Sequence, residues 1–382
     1  MTRHARPIRV AHIITTLGSG GAERMLTRIA TADVAGCEQI VVSLMDEGVY
    51  GAALRARGVP VHALGLQRSA VDPRAVFRLA ALLRRLDPDV TMTWLYHADL
   101  AGSLASLLAG QGLSRVVWNV RCAQTEFAHY SWKTKAVMHA LARLSRLPAA
   151  VAHNSQAGRT AHEAYGYRPR RWVSLPNGVD TEVWRPDAGD RAAVRAALGI
   201  APGEVAVGLV ARLDPQKGHE LFLKANAVVA GRGLPIRPVL IGRDTERIAP
   251  PPELGDRVVA LGERTDVERL MRGLDLVVLA SSSEAFPNVI AEAMATAIPC
   301  VSTDVGEARA IIGDAGFVVT DATSAALAEA IERMIRLGDA GRAEIGSRAR
   351  ERIRASYAIG RSIELYTALW RRVAEAAGQA AE

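Results

Sequence analysis

Cysteine, aromatic residues, lysine and long apolar runs are all scarce in this chain of 382 residues, and each scarcity excludes something. The 3 cysteines, Cys37, Cys122 and Cys300, are odd in number and far apart. They fit neither a disulfide framework nor a zinc knuckle and point to a reducing compartment. Aromatics are 5% of the residues, so no platform for stacking a nucleobase is evident. No apolar run reaches the roughly 18 residues of a membrane span. The first ten residues are basic without an apolar core, so neither a transmembrane helix nor a secretory signal is expected, and the expected location is the cytoplasm. Lysine occurs only at positions 133, 135, 217 and 224, among 47 basic residues.

What is present is an alternation. At 49% hydrophobic content the chain can bury two cores. Apolar runs at 10–14, 40–44, 59–64, 90–95, 116–120 and 149–152 alternate with helical patterns. A second series follows at 205–210, 239–241, 258–261, 274–279 and 299–302. Strands alternating with helices predict an α/β chain of doubly wound parallel sheets with right-handed crossovers. The Pro- and Gly-rich stretch 177–203 reads as an interdomain linker carrying a short helix at 191–198. Domains are therefore expected at 1–176 and 204–359, followed by helices at 325–337, 340–357 and 359–377.

Two motifs carry chemistry. The stretch Ala280–Ala295, ASSSEAFPNVIAEAMA, follows a strand pattern and places Glu284 and Glu292 eight residues apart around a helix start. Pro287 suits the first turn of that helix. The N–H groups of Phe286, Pro287's neighbour Asn288, and Val289 then face whatever lies above the sheet, with the positive end of the helix dipole behind them. Upstream, an apolar run ends at Arg212, a turn follows at Asp214-Pro215, and Lys217 is expected to open the next helix. A guanidinium fork and a point-charge ammonium at one strand end can share a diphosphate. Ligands of open α/β sheets bind at that end. Glutamates near helix starts and charged loops are common, so each motif alone also reads as ordinary surface chemistry.

In order along the chain stand Gly18-Ser-Gly20-Gly21-Ala-Glu23-Arg24, Asn154-Ser155, Pro176-Asn177-Gly178-Val179-Asp180, Arg212 with Lys217-Gly218, and Glu284 to Glu292. This ordered set resembles the retaining glycosyltransferases of family 4, of the bacterial surface or exopolysaccharide type, over nearly the whole chain. The resemblance implies a GT-B fold, two Rossmann-like domains facing a cleft, with the last helix (about 360–382) crossing back onto the N-domain. It implies that Arg212 and Lys217 neutralise the donor diphosphate, aided by Phe286, Pro287, Asn288 and Val289. It further implies that Glu292 holds the ribose, that Glu284 contacts the transferred sugar, and that the Gly20-Gly21 turn brings backbone close to the phosphates. His97, after the fourth strand, is expected to contact the donor sugar. Base and sugar contacts are expected around Arg243, Gly262 to Arg264, and Gly306-Glu307. The chain departs from the pattern at Ala285 and at Gly242-Arg-Asp-Thr, where a Gly-x-Gly is commoner.

The expected reaction is metal-independent hexosyl transfer with retention, from a nucleotide-diphosphate sugar to a saccharide, with no cofactor. Residues 1–180 carry 22 Lys/Arg against 12 Asp/Glu, while 181–382 carry 25 against 28. The basic half fits a lipid-linked saccharide acceptor or an anionic membrane surface such as the inner face of the cytoplasmic membrane. The helix expected from Trp132 to Leu147 has Val137, Ala140, Leu141 and Leu144 on one stripe, facing either lipid or its own sheet. Arg121, at a strand end, could bind an anionic acceptor. His153 is a lesser candidate, and His129, His139 and His162 read as surface or packing residues. Asp87-Pro-Asp89 lies at the amino end of a strand and reads as a turn, so no metal site is expected; no nucleic-acid module accompanies the charge. Three other readings stay open: a nicotinamide dehydrogenase using Asp46 or Glu47, a non-hydrolysing nucleotide-sugar epimerase, and a nucleotide-sugar-binding scaffold without turnover.

Overall fold

The computed structural model describes residues 6–66, 73–122 and 130–379. The chain divides into two compact units, Met1–Asn177 with Gly360–Glu382, and Gly178–Ile359.

In the first unit the strands are β1 (Ile8–Ile14), β2 (Cys37–Ser43), β3 (Val61–Ala63), β4 (Val90–Trp94), β5 (Val116–Val120), β6 (Ala150–His153) and β7 (Trp172–Ser174). All pair in parallel, in the order β3-β2-β1-β4-β5-β6-β7. Strands β4, β5 and β6 are buried at every residue, so even the polar Thr91, Thr93, Asn119 and His153 within them are enclosed. Strand order reverses between β1 and β4, the switch point where such sheets open a crevice. The helix Ile359–Gln379 buries Tyr366 and Trp370 in this unit. Trp370 Nε1 donates to Met92 Sδ at 3.5 Å, and Tyr366 stacks on Trp94 with centroids 6.0 Å apart.

In the second unit β8 (Val205–Val210), β9 (Ile236–Ile241), β10 (Val259–Ala260), β11 (Leu276–Leu279), β12 (Cys300–Thr303) and β13 (Gly316–Val319) form a parallel sheet ordered β10-β9-β8-β11-β12-β13. Its switch point lies between β8 and β11. The stretch 178–203, which composition marks as linker, is built into this unit. Asp187 caps the helix Ala188–Ala197 by accepting from the Asp190 N–H at 2.9 Å. Arg191 and Arg195 of that helix pair with the Asp275 carboxylate, which also accepts from the Ala206 N–H at 2.7 Å. Burial pushes the Asp275 carboxyl up, but the Ala206 N–H and the two arginines outweigh it and hold it below the usual range.

Strands β7 and β13, which close each sheet at one edge, are absent from the sequence expectation. Both are short and only half-buried; β7 carries just two apolar residues, whereas β13, Gly-Phe-Val-Val, is an apolar run that the expected strands do not include. The helix at 132 ends at Leu144, and its buried positions are Met138 and Leu141. Leu144, expected on the buried stripe, is 38% exposed, and Leu147 beyond it is 48% exposed. Asp89 accepts from the Arg9 N–H at 2.9 Å and from Arg6 Nη2 at 2.8 Å, so the Asp87-Pro-Asp89 turn is tied to β1. Among the described residues no helix is long and apolar enough to cross a membrane.

Candidate functional site

The carboxyl ends of β8 and β11 bring together residues far apart in the chain. After β8, Asp214 accepts from the Gln216 N–H at 3.0 Å and caps a single 3-10 turn, Pro215–Lys217. Lys217 therefore closes that turn rather than opening the next helix, which runs His219–Gly231. Gly218 between them sits at φ 67, and a Cβ there would collide with the Ala280 carbonyl at the end of β11. Only glycine combines that backbone with that close approach. The Ser282 N–H donates to the Gln216 carbonyl at 2.8 Å, locking the two loops together.

Through this contact Lys217 Nζ reaches Glu284 Oε1 at 2.7 Å, and Ser281 Oγ donates to the same oxygen at 2.9 Å. Arg212 projects beside them, more than half exposed, held by Asp214 Oδ2 at 2.7 Å. Burial pushes the Asp214 carboxyl up, but the Gln216 N–H, Arg212 and Lys217 outweigh it, so it is held below the usual range and stays charged. The loop 281–285 is braced from β12: Thr303 Oγ1 donates to the Ser281 carbonyl at 2.7 Å, and the Glu307 N–H to the Ala285 carbonyl at 3.0 Å.

The second motif's helix spans Asn288–Ala295. Pro287 is its cap and not its first residue, because ψ 91 leaves it outside the helical region. Phe286 is buried against Tyr357, ring centroids 5.8 Å apart, so only its backbone is placed to meet a ligand. Val289 packs against the apolar core and Glu292 is 5% exposed. Asp244 occupies φ 66 where a second glycine is commoner, and aspartate is among the few residues that enter this region readily. Arg264 is exposed and held by both oxygens of Asp266, at 2.9 and 3.0 Å. His219 was not singled out by its sequence context. It is 4% exposed, its Nε2 lies 3.3 Å from the Ala211 carbonyl, and its Nδ1 has no partner among the described residues.

The other candidates lie in the first unit. Gly20 caps the helix Gly21–Ala30, and the Glu23 carboxylate fills the space that a Cβ on Gly20 would take. His97 is exposed in the first turn of the helix Tyr96–Leu108, and partial burial lowers its pKa. The residue before that helix, Leu95, holds φ 71, a left-handed backbone that branched side chains rarely adopt, at the switch point of the sheet. Asp99 does not cap this helix: it is buried and accepts from Thr93 Oγ1 at 2.5 Å.

Arg121 is not a free cation. Its guanidinium donates to Asn119, to Tyr366 at 3.0 Å and to Asn177, and lies 5.2 Å from the Trp94 ring centre. That network ties the Pro-Asn-Gly segment and the last helix to β5. His153 is buried with Nδ1 2.9 Å from the Ser155 carbonyl. His139 contacts Tyr165, His162 is buried against Tyr96, and His129 lies outside the described residues. Glu47 is ion-paired with Arg55, and Asp46 accepts from the Gly48 N–H. Among the described residues no three His, Cys, Asp or Glu side chains are grouped to hold a metal ion.

The family model described as Glycosyltransferase Family 4 matches residues 19–183, and that of Glycosyl transferases group 1 matches 204–336. The chain belongs to glycosyltransferase family 4. Among curated relatives it is 34% identical over 201 residues to a D-inositol 3-phosphate glycosyltransferase of Rhodococcus erythropolis, covering 48% of this chain and 45% of that one. It is 31% identical over 182 residues to the putative glycosyltransferase EpsF of Bacillus subtilis, covering 46% and 47%. The chain thus spans about half the length of the curated relatives it matches. In fold it is similar to Anabaena HepE, crystallised with UDP and glucose, at TM-score 0.79 and 23% identity over 94% of this chain and 98% of that one. A sucrose-phosphate synthase from Thermosynechococcus elongatus aligns at TM-score 0.75 and 17% identity, over 96% and 100%. The two parallel-sheet units are those of the GT-B fold.

Proposed function

We propose that the protein transfers a hexosyl group from a nucleotide-diphosphate sugar to a hydroxyl of a saccharide acceptor, with retention at the anomeric carbon and without a metal ion. The observation that carries this reading is the convergence of Arg212, Lys217 and Glu284 at the ends of β8 and β11, beside the amino end of the helix Asn288–Ala295. The diphosphate lies against Arg212, Lys217 and the backbone of Phe286 to Val289. Glu292 takes the ribose hydroxyls, Arg264 the base side, and Glu284 the sugar. The Lys217–Glu284 pair keeps both charges satisfied until the donor arrives, when the ammonium is shared with a phosphate oxygen.

The anomeric carbon–oxygen bond breaks with its electron pair leaving on the terminal phosphate oxygen. The acceptor hydroxyl forms the new bond on the same face and gives its proton to the departing phosphate. Two fixed cations and a helix terminus carry the developing charge, the kind of preorganised stabilisation that dominates many barriers. No enzyme nucleophile is required. The basic first half of the sequence favours a lipid-linked acceptor in surface polysaccharide assembly, with the protein working at an anionic membrane face in the cytoplasm. An epimerase or a binding scaffold would retain the diphosphate clamp but yield no glycoside.

A thermal-shift panel of UDP-, GDP-, ADP- and dTDP-sugars without metal tests the clamp, with UDP-glucose first because the HepE structures contain UDP and UDP-glucose. One nucleotide stabilising the wild type and not Lys217→Ala supports the reading. No shift from any donor on folded protein removes it. Product anomeric configuration by NMR then decides between retention and inversion.

A further inference from the structure

A cavity of about 520 Å³ opens in the first unit beside the edge strand β3, lined by Arg55, His62, Arg78 and Arg85 along with Glu47 and apolar residues. Its volume is that of a small-molecule site. Arg78 and Arg85 are seven residues apart on the helix Pro73–Leu86, so two helical turns bring them to one face. Arg55 comes from the helix Gly51–Ala56 and is held rigidly: it pairs with Glu47, and its Nη2 also donates to the Val61 carbonyl at 2.8 Å. His62 lies on β3 itself. Among the described residues lining the cavity the one carboxylate is Glu47, and Arg55 engages it. Arg85 makes no hydrogen bond or ion pair among the described residues. His62 is held below the usual histidine range, first by burial and then by the charges of Arg85 and Arg55. The cavity thus presents guanidinium groups from two elements, Arg55 from the helix Gly51–Ala56 and Arg78 and Arg85 from the helix Pro73–Leu86.

We propose that Arg55, His62, Arg78 and Arg85 form a binding site for a phosphoryl group carried on a small molecule or a lipid headgroup. It uses none of the residues assigned to the donor. Guanidinium forks from separate elements match a tetrahedral dianion better than a planar carboxylate, because its three terminal oxygens can accept from several directions at once.

The test follows the His62 imidazole by NMR in the full chain, assigned with His62→Gln. Titrations use inorganic phosphate, glycerol phosphate, and vesicles of phosphatidylcholine with phosphatidic acid. A bound dianion is expected to raise the His62 pKa by about one unit, as a nearby opposite charge does. The response should vanish in Arg85→Gln and in Arg78→Gln, whose folding is checked by thermal melting, and persist in Lys217→Ala. A response to the soluble phosphates assigns the site to a soluble ligand, and a response to vesicles alone assigns it to a lipid headgroup. No response in any titration, an equal response to sodium chloride at matched ionic strength, or a response unchanged in both arginine variants overturns the site.

Discussion

Gly218 carries two constraints at once, a left-handed backbone and contact with the Ala280 carbonyl, and both bear on where Lys217 points. Gly218→Ala is expected to cost about 1–3 kcal/mol, the usual strain at such positions. It should also abolish the donor-induced thermal shift, because the two strand-end loops can no longer close on each other. Urea melts and a donor titration read the two effects separately. Lys217→Ala and Glu292→Ala are expected to lower turnover by roughly a hundredfold or more, the scale of losing one preorganised charge partner, while leaving the melting curve nearly in place. Unimpaired turnover in both variants removes them from the site. Asp99 gives a pH prediction. Burial raises its carboxyl to about 8 from 3.8, so between those values the folded protein holds a proton that the unfolded chain has released. Stability from this group is full below the lower value and declines as pH rises through the window. Buried His12 and His162, lowered to about 4, act oppositely and lose stability as pH falls from 6.5. Asp99→Asn should remove only the first slope, seen as a smaller fall in urea midpoint between about pH 5 and about pH 8. At this scale Arg212, Lys217, Glu284 and Glu292 were legible because their types and spacings are local. The Lys217–Glu284 pair spans 67 positions and the Arg121–Tyr366 contact 245, and no local pattern encodes either.

Among elements, one carboxylate ties the helix Ala188–Ala197 to two strands at once. Asp275 joins Arg191, Arg195 and the Ala206 N–H, so it fixes that helix to the starts of β11 and β8. Asp275→Ala leaves the largely buried Arg195 and the Ala206 N–H without this acceptor and is expected to cost about 3 kcal/mol. Hydrogen exchange should rise first at 188–197. The central strands are fully buried, whereas β7 and β13 lie at sheet edges and are only partly covered. The helix Trp132–Leu144 shows the converse limit. Its sequence allows more than one apolar stripe, and packing against the helix Tyr96–Leu108 and the sheet selects Met138 and Leu141. The helices begin at His219 and Asn288, one or two residues beyond the Lys217 and Pro287 that the sequence suggests, because a cap residue and a first-turn residue have similar chemistry.

For the whole molecule, the division into two α/β units was readable from the repeated strand–helix rhythm. The return of the last helix to the first unit was implied only by family likeness, since an amphipathic helix does not name its partner sheet. Trp370 is the anchor of that return, fully buried and edge-on to His12 with centroids 5.5 Å apart. Trp370→Ala is expected to cost about 3–5 kcal/mol. Hydrogen exchange should quicken in β1 and β4 while β8 and β11 stay protected. Discontinuity in sequence also sets an order of events during synthesis. All of 178–359 leaves the ribosome before the segment beginning at Gly360, so the unit second in the sequence has its full complement of residues while the first still lacks a piece of its core. Until Tyr366 and Trp370 arrive, Trp94 and Met92 have no cover from that side, and the nascent first unit offers an apolar face to whatever chaperone stands at the exit tunnel.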